Sequence, residues 1–348
     1  MIRVLIIDDS AVVRKVLSEE LAKFDDIHVV GTAMDPYVAR DKIVELQPDV
    51  LTLDMEMPRM DGLSFLAKLM KHHPLPVVVV SSLTSKNSEV ALKALELGAV
   101  EVIAKPGSQF SVPDVGRVLV RAIRAAAASH VQRRDSDAVP AAAVVSAKPR
   151  ESVHSFRTTN KILAIGASTG GTVALEVVLR GLPADTPGTV IVQHMPEVFT
   201  KTFSDRLNSV CAMRVSEARD GDTVQAGTAL VAPGGKHMVL QQSGALTMVR
   251  LKDGPLVHYQ KPAVDVLFQS VARTVGRNAV GVILTGMGAD GAKGLLAMKE
   301  SGAYTLAQDE KSCVVFGMPK EAIRLGAADQ IVPLNDMASQ ILSALGRS

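Results

Sequence analysis

The run Ile2-Arg3-Val4-Leu5-Ile6-Ile7-Asp8-Asp9 decides how the first half of the chain is read. Apart from Arg3 it is continuously apolar and rich in β-branched residues, the pattern of a strand buried on both faces, and it stops on two carboxylates. The helix-period segment Ala11–Phe24 follows, and the same alternation then recurs. Apolar runs at His28–Gly31, Val50–Leu53, Val77–Val80 and Val100–Ile103 are separated by helical patterns at Tyr37–Leu46, Gly62–His72 and Asn87–Leu97. A last helix covers about Pro113–Ala128. This rhythm predicts an α/β domain over residues 1–128, doubly wound and flavodoxin-like, with five parallel strands.

Residues 129–158 lose both the 3.6 and the 2 period. They run from His130-Val131-Gln132-Arg133-Arg134 through Ala- and Pro-containing sequence to Lys148-Pro149-Arg150, and they read as a mobile linker. Alternation resumes at Lys161–Ile165, with further strands at Thr189–Gln193, Ala279–Thr285, Tyr304–Ala307 and Gln330–Val332. Helices are expected at Lys201–Leu207, Pro262–Val275 and Ala292–Ser301. A hairpin between about 225 and 252, turning at Ser243-Gly244, interrupts the pattern. Residues 159–348 are therefore expected to form a second doubly wound domain, a mostly parallel Rossmann-like sheet with a β-hairpin insertion.

The whole-chain numbers fit two such domains. Among 348 residues, 47% are hydrophobic, 21% charged and 3% aromatic, with no Trp, so aliphatic side chains must fill the cores. With 38 basic against 36 acidic side chains the formal charge is +2, without the basic excess of nucleic-acid-binding domains. No helix-turn-helix beside a basic face is legible after residue 128. Two cysteines, Cys211 and Cys313, make no disulfide framework and suit a reduced, cytoplasmic setting. No signal peptide is legible at Met1, and no apolar run approaches the ~20 residues of a membrane span, so no membrane insertion is expected.

Ligands of doubly wound sheets bind at the carboxyl ends of the strands. In the first domain those ends carry Asp8-Asp9, Asp54, Ser81-Ser82 and Lys105-Pro106. Converging carboxylates are hard oxygen ligands suited to Mg²⁺. A carboxylate beside the metal can become an aspartyl phosphate, whose charge Lys105 and Ser81 could then meet. These residues, with Asp54-Met55-Glu56-Met57-Pro58-Arg59-Met60-Asp61-Gly62, resemble the response-regulator receiver family over residues 1 to about 125. The resemblance implies Asp54 as phosphoacceptor, Asp8, Asp9 and Asp54 as Mg²⁺ holders, Lys105 and Ser81 as phosphoryl sensors, and a histidine kinase as phosphodonor. Many receivers carry an aromatic three positions before the lysine; this chain has Val102.

In the second domain Gly166-Ala167-Ser168-Thr169-Gly170-Gly171 fits G-x-S-x-G, where small neighbours let a serine protrude from a strand-to-helix turn. Gly-rich turns also cradle phosphates, but neither G-x-G-x-x-G nor a following Lys-Ser/Thr is present. A hydrolytic serine needs a base and an orienting acid. His194 ends the next predicted strand; His237 is the runner-up, while His154 falls in the linker and His258 in a loop. For the acid, Asp290 lies in Thr285-Gly286-Met287-Gly288-Ala289-Asp290-Gly291 past a third strand. Asp220, Asp222 and Asp265 compete, with Asp265 read as a surface or cap residue.

Gly166–Gly171, Gln193-His194-Met195-Pro196, Pro233–Met238, Lys261–Phe268, Thr285–Gly291 and Gln308-Asp309-Glu310 together resemble the catalytic domain of the chemotaxis protein-glutamate methylesterases (CheB family). That resemblance covers residues 161 to about 345. It implies Ser168 as nucleophile, His194 as base, Asp290 as its orienter and the Met287 backbone N–H at the oxyanion. It further implies methyl-accepting chemoreceptors as substrate, deamidation of receptor glutamines, no cofactor in this domain, and control by receiver phosphorylation. The rival expectation is a receptor-binding adaptor whose serine loop does no chemistry.

Overall fold

A computed structural model describes residues 1–57, 59–82, 85–105, 112–129 and 161–346. They belong to two compact units. The expected linker lies outside the described residues apart from Ser129, as do His154 and Pro106.

The N-terminal part of the chain runs β1 (Ile2–Ile7), α1 (Ala11–Leu21), β2 (Ile27–Ala33), α2 (Pro36–Leu46), β3 (Val50–Asp54), α3 (Gly62–His72), β4 (Val77–Ser81), α4 (Ser85–Leu97), β5 (Glu101–Ala104) and α5 (Val112–Ala127). Its strands are ordered β2-β1-β3-β4-β5, and every neighbouring pair is parallel. Val4, Leu5, Leu51, Leu53 and Val77–Val79 are fully buried, which is why the β1, β3 and β4 runs are predominantly apolar. Polar side chains set the helix starts. Ser10 accepts from Val13 N, Asp35 from Tyr37 N and Val38 N, and Asp61 from Ser64 N.

The second unit runs β6 (Ile162–Ala167), α6 (Gly171–Arg180), β7 (Thr189–Gln193), α7 (Glu197–Val210), β8 (Arg214–Glu217), β9 (Thr228–Val231), β10 (His237–Ser243), β11 (Leu246–Lys252), α8 (Val264–Thr274), β12 (Ala279–Ile283), α9 (Ala292–Glu300), β13 (Tyr304–Gln308), α10 (Met318–Arg324), β14 (Gln330–Val332) and α11 (Leu334–Gly346). Seven parallel strands are ordered β14-β13-β12-β6-β7-β9-β8. The chain winds outward from β6 in one direction through β7, then returns to β12 on its other side. The switch point therefore lies between β6 and β12. Phe268 of α8 is fully buried, and truncating a side chain of that kind costs about 3–5 kcal/mol.

Three sequence expectations need correction here. Thr228–Val231, read as part of the hairpin region, is a parallel sheet strand, and Arg214–Glu217 was not expected as a strand at all. Both are four-residue segments, β8 at the sheet edge and β9 next to it, too short for a period to register. The antiparallel β10–β11 hairpin pairs Ser243 with Leu246, so its two-residue turn is Gly244-Ala245, one position later than expected. Gly244 supplies the positive φ, 59°, that such a turn requires. The hairpin is fastened to α8, where Leu240 N donates to Ser270 Oγ and Thr274 Oγ1 donates to Leu240 O.

Candidate functional sites at two carboxyl edges

The parallel pairing of β1 with β3 and of β3 with β4 brings the expected residues of the first site together. Ligand oxygens of Asp8, Asp9 and Asp54 all lie within 4.8 Å of one another, Asp8 and Asp54 buried and Asp9 exposed. Lys105 Nζ sits 3.0 Å from Asp8 Oδ2 and 2.7 Å from Asp54 Oδ2. The Lys105 backbone N–H donates to Ser81 O at 2.9 Å, which fixes the lysine beside the end of β4. Ser81 is buried, and Ser82 Oγ donates to Glu56 Oε2. Burial pushes the Asp54 carboxyl above its ordinary range, against the opposing hydrogen bond and charge of Lys105. Burial opposes the charge of Lys105, but the hydrogen bond and charge of Asp54, with those of Asp8, hold its ammonium above the usual lysine value. Three close carboxylate groups, one open to solvent, form a donor set that fits a hard divalent cation retaining water.

In the second unit β12, β6 and β7 are adjacent, so Asp290, Ser168 and His194 follow three neighbouring strand ends. His194 Nε2 lies 2.7 Å from Asp290 Oδ2. The other ring nitrogen, Nδ1, is buried with no hydrogen-bond partner among the described residues. Asp290 is also held by main chain at the start of α8: Val264 N donates to Oδ2 at 2.7 Å and Asp265 N to Oδ1 at 2.9 Å. Burial alone would raise this carboxyl. The hydrogen bond and charge of His194, with the two backbone donors, outweigh it and hold the group below the usual carboxylate range.

The serine turn is built by close approach. Ser168 N donates to Thr285 O at 3.0 Å and His194 N to Ala167 O at 3.1 Å, tying the three strand exits together. A Cβ on Gly286 would stand 2.7 Å from Ser168 Cβ and 2.4 Å from Met318 Sδ, so only glycine fits. Unlike α1–α3, helix α6 begins at a glycine in the left-handed region, Gly170 at φ 78°, with no side-chain cap. No side chain therefore caps its N–H groups, although the first, that of Gly171, donates to Ser168 O at 2.7 Å. The Met287 N–H meets no backbone carbonyl among the described residues.

The competing candidates are engaged in other contacts. His237 is buried in a structural role: Ala263 N donates to its Nδ1 at 3.3 Å, which leaves Nε2 as the donor to Pro255 O at 2.9 Å. Asp220 bonds Arg250 and Leu251 N, and Asp222 accepts from Arg219 N. Asp265 corrects the expectation of a surface residue. It is 3% exposed and accepts from Gly294 N and from His258 Nε2, so the face of α8 that carries it is packed against α9.

Residues 163–341 match the family described as CheB methylesterase, and residues 4–112 match the response regulator receiver domain. The chain is 57% identical over 342 residues to "Protein-glutamate methylesterase/protein-glutamine glutaminase 2" of Syntrophus aciditrophicus (strain SB), covering 98% of each. This chain belongs to the CheB methylesterase family. A second relative of the family, "Protein-glutamate methylesterase/protein-glutamine glutaminase 4" of Anaeromyxobacter dehalogenans (strain 2CP-C), is 52% identical over 100% of this chain and 96% of its own. The crystal structure of the Thermotoga maritima CheB methylesterase catalytic domain superposes with a TM-score of 0.52 at 38% identity, over 53% of this chain and 98% of that one.

Within this CheB-family scaffold two buried glutamines were not singled out from sequence. Gln193 Nε2 donates to Ser168 O at 2.8 Å and to His194 O at 3.1 Å, bridging two candidate residues through their carbonyls. Gln308 Oε1 accepts from Thr285 N at 2.8 Å, and its Nε2 donates to Ser312 O, bracing the exit of β12. A polar amide closing an apolar strand was the available signal. Both stand at such an end.

Proposed function

We propose that this chain is a phosphorylation-regulated protein-glutamate methylesterase that also deamidates receptor glutamines, acting on methyl-accepting chemoreceptors in chemotaxis-type signalling. The observation that carries the reading is the ring of His194, bonded by one nitrogen to the main-chain-held Asp290 and unpartnered at the other. In a triad that second nitrogen is the one that faces the nucleophile.

Ser168 Oγ attacks the carbonyl carbon of the glutamyl γ-ester as His194 Nδ1 takes the hydroxyl proton. Negative charge gathers on the former carbonyl oxygen, where the Met287 N–H and the uncapped start of α6 supply donors. Collapse of the tetrahedral intermediate breaks the C–O bond to the methoxy group, and His194 passes its proton to that oxygen, so the group leaves as methanol. Water then attacks the acyl-serine, giving up a proton to His194 and leaving a glutamate carboxylate and free Ser168. With a glutamine substrate the departing group is ammonia. Asp290 fixes the imidazole orientation and stabilises its charged form.

In the receiver, Asp8, Asp9 and Asp54 would hold Mg²⁺, which when bound offsets charge on phosphoryl oxygens. An Asp54 oxygen attacks the phosphorus of a histidine-kinase phosphodonor, forming an acyl phosphate as the donor departs; Lys105 and Ser81 meet the new charge. Chain without phosphate inhibits and phosphorylated chain releases the esterase, a shift that requires several kcal/mol of difference between the two states. The enzyme would work in the cytoplasm.

The test is methanol release from a methylated receptor fragment, with and without acetyl phosphate and Mg²⁺. Ser168→Ala is expected to abolish release, and full activity in that variant excludes the nucleophile. Deleting residues 1–140 is expected to raise basal release; an unchanged rate removes simple inhibition.

A further inference from the structure

One segment beside the catalytic edge does something the triad does not need. Between β11 and α8, Val257 and Gln260 pair as an isolated antiparallel bridge, with Val257 N to Gln260 O at 3.1 Å and Gln260 N to Val257 O at 2.9 Å. The two residues at the tip, His258 and Tyr259, both adopt positive φ, 52° and 61°. Tight two-residue turns of this hand normally use Asn or Gly, because a Cβ is strained in the left-handed region. Two successive bulky side chains there are held by their surroundings rather than chosen by local preference.

The holding contacts are specific. His258 Nε2 lies 2.9 Å from Asp265 Oδ2, a buried carboxylate whose other oxygen accepts from Gly294 N. His237 Nε2 donates to Pro255 O, and Lys261 Nζ donates to Gly254 O at 3.3 Å, so the base of the loop is pinned as well. His258, Asp265 and Asp290 present ligand atoms all within 4.8 Å of one another, which puts the turn directly against the carboxylate that holds His194. With His258 bonded to Asp265, Tyr259 faces solvent at 83% exposure and Leu256 at 60%. Single exposed apolar residues are ordinary on protein surfaces. A strained turn, anchored through a buried carboxylate beside Asp290, with Tyr259 at its tip and Leu256 just before it, is a rigid presentation of an aromatic next to the carboxylate that holds His194.

We propose that the Leu256–Tyr259 turn is a substrate-recognition element, with Tyr259 packing against the protein surface that flanks the scissile glutamyl ester. The inference rests on the methylesterase reading and adds to it where macromolecular substrate is gripped. The occupant is the protein part of the substrate and not the ester itself. A methyl ester is too small to engage both a serine at a strand end and a tip outside it, whereas a protein segment spans both. Tyrosine suits this task because it offers a large amphipathic contact with little rotamer freedom to lose.

The experiment compares wild type, Tyr259→Ala and Tyr259→Phe on two substrates, a methylated receptor fragment and p-nitrophenyl acetate. Wild type must first release methanol from the receptor fragment; if it does not, the methylesterase reading fails, whatever Tyr259 does. Given that activity, Tyr259→Ala is expected to raise KM for the receptor about fivefold to tenfold, equivalent to about 1–1.4 kcal/mol of binding. Its kcat on the receptor and its turnover of p-nitrophenyl acetate stay at the wild-type level, and Tyr259→Phe keeps most of the affinity. An unchanged receptor KM in Tyr259→Ala overturns the proposal. So does an equal loss on both substrates, which would mark a purely structural residue.

Discussion

Asp54 and Asp290 hold comparable places in their sheets, one ending β3 and the other following β12, each beside a switch point and exposed by 1% and 2% respectively. Their acidities nevertheless move in opposite directions. Asp54 is raised because burial outweighs Lys105 and the single backbone donor from Glu56 N. Asp290 is lowered because burial is outweighed by His194 together with two N–H groups at the start of α8. The comparison shows that depth alone does not set the charge of a buried carboxylate; the number of fixed donors does. Asp54 is under-solvated and faces one ammonium, that of Lys105, whereas Asp290 stands beside the His194 imidazole in a cage of main-chain donors.

The largest expected effect comes from removing the caged charge. Asp290→Asn should lower kcat for methanol release by about 10³–10⁴-fold, the scale on which a triad loses its orienting acid. Activity within tenfold of wild type would mean that the two buried aspartates are not functionally distinct. Next in size, Gly286→Ala drives a methyl group against Ser168 Cβ and should cost about 10²-fold in kcat through misplacement of the nucleophile. Circular dichroism of the same variant checks that the fold survives. On the receiver side, Asp54→Ala should abolish incorporation of phosphate from acetyl phosphate and the accompanying several-fold stimulation of methanol release. A variant that still responds places the phosphoacceptor elsewhere.

The smallest effect separates the two carboxyls by pH. A raised Asp54 favours the folded state in its protonated form, so its contribution is present below the unfolded value of 3.8 and is lost as pH rises through the higher folded value. A lowered Asp290 does the reverse. Its contribution is present above 3.8 and disappears as pH falls through the folded value below that. Thermal melts at pH 7 should therefore show Asp54→Asn more stable than wild type and Asp290→Asn less stable. The same sign for both variants would break the contrast.

Much of this was legible in the residues because parallel sheets concentrate chemistry where strands stop. Parallel pairing of apolar runs brings Asp8, Asp54 and Lys105 into contact, and it sets Ser168, His194 and Asp290 after three neighbouring strand ends. What stayed hidden was set by tertiary contacts with no local pattern. Arg214–Glu217 alternates too briefly to be read as a strand. Asp265 looks like an ordinary polar position of a helix, yet the packing of α8 on α9 buries it. The bond from His258 to Asp265 spans a loop that no periodicity describes.

The donors that hold Asp290 from α8 belong to the peptide backbone, and this shapes what mutation can reach. Exchanging the side chains of Val264 or Asp265 changes packing but leaves both N–H groups aimed at the carboxylate. Only an imino acid at one of these two places, or a displacement of the whole helix, would strip a donor away. The charge state at the heart of the esterase is thus inherited from the path of the chain, insulated from most single-residue drift.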